Sequence, residues 1–344
     1  MRKLMLKFLL GIGFFGLLFL GTSKVVAQNT GPDPVLLQEM GNLIQDAIYF
    51  TDLYITPATD AAVYQAASSW VNTPQKAELW DFTLGIHVNT FLVPKSDRSF
   101  QLNNDDLDFF DIEGQASAMT PTALGSDEFV TLKGELGGSD VILKSPEGID
   151  RDFVVYPYLQ GSLGIGFGTE AIAKFSPRVT LKNVEYQVYG LGFKHSLSQY
   201  LKKVEDKNFF ISALIAYAKE DLTVNFLDVE TQYGNLGFNA LNSLINTWQF
   251  QINGSKKWNK FELSSGIITN TSSFEYRVKG KKGAIEEILP LQDVLNGELK
   301  SIADNKFNLI GEVSGRLEFN HFFVQTTVAF GKFVNSNISL QYKF

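Results

Sequence analysis

From Trp80 onward, the hydrophobic positions of this chain fall on every second residue. Phe82, Leu84, Ile86 and Val88 alternate with Thr83, Gly85, His87 and Asn89, which predicts a strand with one apolar and one polar face, ending near Pro94. Trp248, Phe250 and Ile252 alternate in the same way with Gln249, Gln251 and Asn253. Phe307, Leu309, Val313, Leu317 and Phe319 alternate with a set that includes Glu312, Arg316 and Glu318. An arginine facing lipid at mid-membrane costs about 2–4 kcal/mol, so this polar set belongs to an interior and the apolar set to the outside. At the chain end Ile338, Leu340, Tyr342 and Phe344 carry the alternation to the final residue.

Residues 36 to 50 break the period. Leu36, Leu37, Met40, Leu43, Ile44, Ala47 and Ile48 recur at three- and four-residue spacing, the mark of an amphipathic helix, with Asp33 as N-cap and Pro34 at the first position. A second stretch, 58 to 69, is rich in alanine and bracketed by Pro57 and Pro74, and reads as helical or coiled. About fifty residues here are therefore not wall. Beyond them the pattern divides into about fourteen strands, among them 98 to 112, 128 to 144, 170 to 180, 209 to 219, 222 to 232, 244 to 252, 256 to 270 and 272 to 280. Residues 206 to 208 and 253 to 255 read as turns, and 116 to 125, 234 to 242 and 281 to 300 as long loops, the last with a short helix at 285 to 295.

Composition fits strands better than spanning helices. The chain holds 29 Phe and 13% aromatic residues, yet its mean hydropathy is −0.01. Barrel strands dilute large apolar side chains with interior polar ones, whereas spanning helices need about 20 apolar residues in a row. Residues 1 to 27 open with Arg2, Lys3 and Lys7, continue through an apolar run and end on Val25-Val26-Ala27, which reads as a cleaved secretory signal. There is no cysteine, which excludes disulfides, thiolate catalysis and cysteine-bound metals. A net charge of −7 argues against a nucleic-acid partner.

Motifs with chemical meaning are few. The run Gly161 to Gly168 lacks dinucleotide-loop spacing, with Thr169 where a glycine is required. Leu159, Gly161, Leu163, Ile165 and Phe167 continue the two-residue period instead, placing Gly164, Gly166 and Gly168 on the inner wall. Near-absent side chains there either make room for the N-terminal segment or bend the strand. His87, His195 and His321 are scattered; His195 and Ser196, adjacent on one strand, point to opposite faces and make a poor catalytic pair. Asp105, Asp106, Asp108 and Asp111 lack calcium-loop spacing and read as a solvated loop, so neither metal nor cofactor is expected, nor an enzyme. Trp70, Trp80, Trp248, Trp258, Tyr156, Tyr158, Tyr186, Tyr189, Tyr276 and Tyr342 are expected in aromatic girdles at the membrane boundaries.

The terminal alternation resembles the closing strand of bacterial outer-membrane barrels, with Tyr342 and Phe344 as the assembly signal. Tyr54-Ile55-Thr56-Pro57, Trp70-Val71-Asn72-Thr73, Asp81-Phe82 and Phe91-Leu92-Val93-Pro94 resemble an uncharacterised family of Gram-negative outer-membrane proteins, distantly similar to the long-chain fatty acid transporters. Ser176-Pro177 and the run from Gly190 to Leu197 are similar to strands of those transporters. The resemblance implies an all-β, transmembrane antiparallel barrel of about fourteen strands (residues 79 to 344), plugged by an N-terminal helical hatch (28 to 78) and taking up a hydrophobic molecule by diffusion. Thr56-Pro57-Ala58 stands where the transporters carry Asn-Pro-Ala. Phe50, Tyr54, Pro57 and Tyr64 are the hatch positions expected to meet an apolar ligand. The implied partners are outer-membrane lipid, the barrel-assembly machinery and a small hydrophobic or amphipathic molecule. The alternatives are a structural or partner-binding barrel without transport and a barrel lipid hydrolase.

Overall fold

Ten antiparallel strands form the wall: β1 (Phe82–Leu92), β2 (Phe153–Gly166), β3 (Thr169–Phe175), β4 (Val184–Ser196), β5 (Phe209–Asn225), β6 (Ala240–Trp258), β7 (Phe261–Lys279), β8 (Asn305–Phe319), β9 (Phe322–Phe330) and β10 (Val334–Lys343). Each pairs with the next, and β10 returns to β1 in a ladder from Thr83 opposite Lys343 to Leu92 opposite Val334, so the sheet is a closed barrel. One extra strand, Val179–Leu181, continues the line of β3 and pairs with the upper part of β4. The computed structural model describes residues 33–226, 230–231, 234–237, 239–284 and 290–344; the expected leader at 1 to 27 lies outside them.

Among the described residues the wall has ten strands rather than fourteen, for identifiable reasons. The strands expected at 98 to 112 and 128 to 144 exist only as short ladders in the loop after β1, Ser99–Asn103 with Ser117–Pro121 and Thr131–Leu136 with Ser139–Lys144. The two strands expected at 209 to 219 and 222 to 232 are replaced by one wall strand, β5, which runs through Glu220 and Asp221 because these continue the alternation instead of turning. Asn253-Gly254-Ser255 is not a turn: Asn253 and Ser255 point inward within β6, opposite Gly266 and Ser264 of β7. Local turn chemistry was overridden there by pairing on both sides. The turn at 206 to 208 is present, with Asn208 in the left-handed region at φ 56°.

One end of the barrel carries tight turns and the other the long connections. Gly166-Phe167-Gly168, Asn259-Lys260 and Asn320-His321 close the tight end, with Asn259 (φ 52°) and Asn320 (φ 55°) in the left-handed conformation that asparagine tolerates. Both chain ends of the wall, Phe82 and Lys343, lie there as well, as they do at the periplasmic end of bacterial outer-membrane barrels. The opposite end carries the 93 to 152 and 280 to 304 connections, including the helix Leu291–Glu298. That helix begins later than the expected 285 to 295, whose first five residues lie outside the described ones.

The outer face is apolar over a defined height. Trp248, with Tyr217 at 5.1 Å between ring centroids, marks the upper rim, and Trp258, stacked on Phe261, the lower. Ten residues separate the two tryptophans on β6, which at strand rise and about 40° of tilt is roughly 25 Å, the height of a barrel's lipid-facing band. Trp80, Tyr189 and Tyr342 also sit near these boundaries, whereas Trp70, Tyr156, Tyr158, Tyr186 and Tyr276, expected in the girdles, are buried inside. The four tyrosines face inward because the two-residue period of their strands fixes the face of every side chain, whatever its type, and Trp70 is carried inside by the segment that follows α1.

The closing strand fits its expected place. Phe344 N–H donates to the Phe82 carbonyl at 2.9 Å, and its ring packs at 5.2 Å on Phe82 and 4.7 Å on Tyr342. Deleting Phe344 is expected to lower the yield of folded barrel several-fold in cells, read as the heat-modifiable band on a gel, without changing the conductance of barrels that do assemble. An unchanged yield would remove the seam role from this residue.

Candidate functional site

The helix α1 (Pro34–Ala67) enters from the long-loop end and descends into the lumen as one continuous element. Asp33 caps it, accepting from Val35 N–H at 3.0 Å. It passes straight through Pro57, where the sequence suggested a break; burial of nearly every residue from Tyr54 to Ala67 outweighs the roughly 3 kcal/mol that an interior proline costs. Ala58, Ala61, Ala62, Ala66 and Ala67 are all buried. A ten-stranded wall has a backbone radius of only about 10 Å, so a helix can run inside it only if its own side chains are small.

The helix ends at mid-lumen on a charged clamp. Ser68 turns extended and Ser69 takes φ 60°. The released carbonyls of Ala66 and Ser68 accept from Lys174 Nζ of β3 at 3.1 and 2.8 Å, a cation placed at the negative end of the helix dipole. The same ammonium lies 4.6 Å from the Trp70 ring and 4.8 Å from that of Tyr158. Trp70 is fully buried and donates from Nε1 to the Ala66 carbonyl at 2.7 Å. Its indole lies over Gly190 and Gly192 of β4, where an added Cβ would come within 3.0 and 3.3 Å of the ring.

Below Trp70 the chain runs as a strap, 68 to 81, held by groups from around the wall. Glu312 accepts from Ser69 N–H at 2.7 Å and from Gln251 at 3.1 Å. Glu262 accepts from Thr73, Gln75 and Ser255 at 2.9, 3.0 and 2.6 Å and faces Arg316 at 3.4 Å. Lys194, ion-paired with Glu170, donates to the carbonyls of Thr73 and Gln75 at 2.8 and 3.1 Å. Such buried ions are tolerated because each has an opposite charge or several polar partners. Above the clamp, Asp60 bridges Lys306 at 2.7 Å and Lys332 at 2.8 Å.

Gly164 is the point of closest approach between strap and wall. An added Cβ would sit 1.9 Å from the Glu78 carbonyl oxygen, and the strap's Trp80 N–H donates to the Gly164 carbonyl at 2.8 Å. Gly166 (φ 96°) and Gly168 (φ 71°) belong instead to the turn into β3, where Gln199 packs over Gly168. His195 points away from the lumen and meets Thr169 at 2.8 Å and Tyr200 at 3.1 Å, while Ser196 is buried on the inner face, 3.1 Å from Ser198. The aspartates 105 to 111 lie in the first long loop, and no group of side chains suited to a metal occurs among the described residues.

Two apolar cavities are strung along α1. The outer, of about 90 Å³, lies between the helix and the loop end, lined by Leu43, Phe50, Tyr54, Leu132, Leu241 and Leu295 among others. Burial holds the Tyr54 phenol above its ordinary range, so it stays a donor, to the Glu147 carbonyl at 2.8 Å. The inner cavity, of about 50 Å³, is lined by Ala58, Ala61, Ala62, Phe91, Val154 and Val179. Of the expected ligand positions, Phe50 and Tyr54 line the outer cavity; Pro57 and Tyr64 line neither, and Tyr64 packs on Phe333 at 5.2 Å and accepts from Lys332 N–H at 3.2 Å.

The inner cavity abuts a break in the wall. The β2–β3 ladder runs from Leu159 opposite Phe175 down to Gly166 opposite Thr169. Above it, residues 153 to 158 pair only with β1, while Val179–Leu181 pairs only with β4. Pro157 and Pro177 flank the break, and neither can donate to a ladder. The sequence reading missed this break, the Trp70 platform and the Lys174 clamp. The usable signals were Pro157 and Pro177 within otherwise alternating strands, and the alternation of Gly190 and Gly192 with Leu191 and Phe193.

A family model described as a family of unknown function (DUF6588) matches residues 1–344. The chain belongs to that family. No curated protein matches it. Among solved structures, the translocator domain of autotransporter NalP from Neisseria meningitidis is similar at 8% identity and TM-score 0.32, over 83% of this chain and 95% of that one. A Pseudomonas aeruginosa FadL homologue is similar at 10% identity and TM-score 0.28, over 73% of this chain and 60% of its own. The Pseudomonas putida toluene transporter TodX follows at 8% identity and TM-score 0.21, over 83% and 93%.

Proposed function

We propose that the protein is an outer-membrane channel that binds and passes a small hydrophobic or amphipathic molecule by diffusion, without enzymatic chemistry. The observation that carries this reading is the pair of apolar cavities along α1, the inner one against the unpaired stretch of wall. A solute taken from the loops enters beside Phe50 and Tyr54, follows the alanine face of the helix and leaves sideways between β2 and Val179–Leu181 into the bilayer. The polar strap below offers such a solute no apolar path onward. Both cavities are smaller than the roughly 150 Å³ that holds a benzene molecule, so passage requires α1 to shift.

The absence of cysteine gives a clean test. Val154→Cys with Val179→Cys, joined by a short bifunctional maleimide, closes the side opening. Transfer of an environment-sensitive apolar dye into proteoliposome bilayers is expected to fall to the protein-free rate after linking, while dye binding persists. Unimpeded transfer in the linked barrel would sink the lateral route. The densely filled lumen favours a second reading, a closed barrel whose loops bind a partner; no dye binding to the unmodified protein would support it.

A further inference from the structure

The direction in which α1 lies carries a consequence beyond solute passage and independent of it. Its contacts descend the barrel in sequence order. Glu39 accepts from Gly137 N–H at 2.7 Å, and Asp46 from the N–H groups of Asp108, Phe109 and Phe110, each at 2.9 Å, all in the first long loop. Asp60 then meets Lys306 and Lys332 near the upper rim, Ala66 and Ser68 meet Lys174 at mid-lumen, and Trp80 meets Gly164 at the tight-turn end. A helix of 34 residues is about 51 Å long, roughly twice the lipid-facing band. With its C-terminal end at mid-lumen, its N-terminal half must stand outside the membrane, on the side of the long loops.

We propose that the protein carries the N-terminal end of α1 through its lumen to the cell exterior and displays it there. The first turns of α1 are then part of the cell-surface face, continuous with the loop sheet Thr131–Leu136 and Ser139–Lys144. Val35 and Leu37 on this end are exposed, at 62% and 41%. The plug is accordingly not a hatch hinged from below. Among the described residues before β1, only the end of the strap reaches the periplasmic mouth, so a factor that releases the helix from inside the cell acts on that strap.

Single-cysteine variants decide the matter, since the parent chain has none. Val35→Cys reports the helix end, Ile142→Cys the loop sheet and Lys260→Cys the tight-turn end; all three positions are exposed. Intact cells are treated with a maleimide on a polymer too large to enter the periplasm. Val35→Cys is expected to label to the same extent as Ile142→Cys, and Lys260→Cys only after permeabilisation. Labelling of Val35→Cys only after permeabilisation, with Ile142→Cys already labelled, would overturn the proposal. So would labelling of Lys260→Cys alone, which would invert the barrel. Heat-modifiability of each variant on a gel verifies that it has folded, and should one fail, Leu37→Cys replaces Val35→Cys and Lys133→Cys replaces Ile142→Cys.

Discussion

Removing residues 33 to 72 is expected to turn a sealed barrel into a conducting one. In planar bilayers the intact protein should show little steady current, and the truncated protein discrete open-channel steps. The inner wall that the helix leaves behind is polar and charged, with Lys174, Lys194, Glu170, Glu220, Glu262, Glu312 and Arg316 facing the lumen. Water enters such a space readily, because Lys174 loses the Ala66 and Ser68 carbonyls and Glu312 loses the Ser69 N–H, and the ions that keep their partners become open to solvent from above. The radius sets the scale: ten strands without a plug leave a narrow pore, well short of the wide channels of sixteen-stranded porins. Equal currents from both proteins would show that the helix does not seal the barrel.

Trp70→Ala carries the second large effect. Truncating a fully buried tryptophan costs about 3–5 kcal/mol, and here it also strips the Lys174 ammonium of one aromatic face. The plug should loosen, seen as a lowered urea midpoint and frequent brief channel openings. Gly192→Leu should act in the same direction, since its side chain takes the volume of the indole; already a Cβ there lies 3.3 Å from the ring. The two sites are in contact, so their effects should not add. The double variant, with a large residue on the wall and a small one on the strap, is expected to recover much of the lost stability. Strict additivity would mean that the indole does not rest on this strand.

The barrel was legible in the sequence because the two-residue period is a local property that every wall strand repeats. Helix α1 was legible too, in its cap at Asp33 and the three- and four-residue spacing up to Ile48. What the pattern could not give is which alternating segments share a sheet. Residues 98 to 144 alternate as wall strands do, yet pair with each other above the barrel, and only long-range registry distinguishes the two fates. The same limit applies to the site. Period two places Gly190 and Gly192 on the inner face, but it takes the descent of the strap to bring Trp70 onto them. The alanines at 58 to 67 looked like featureless coil or helix for the same reason, their meaning being the narrow bore around them.

The strap at Asp81 reaches Lys343 across the seam at 2.8 Å, so the plug is fastened to both the first and the last strand of the wall. Pairing of β10 with β1 brings Lys343 to Asp81, so the ladder that closes the wall is also the one that fastens the strap beneath the plug.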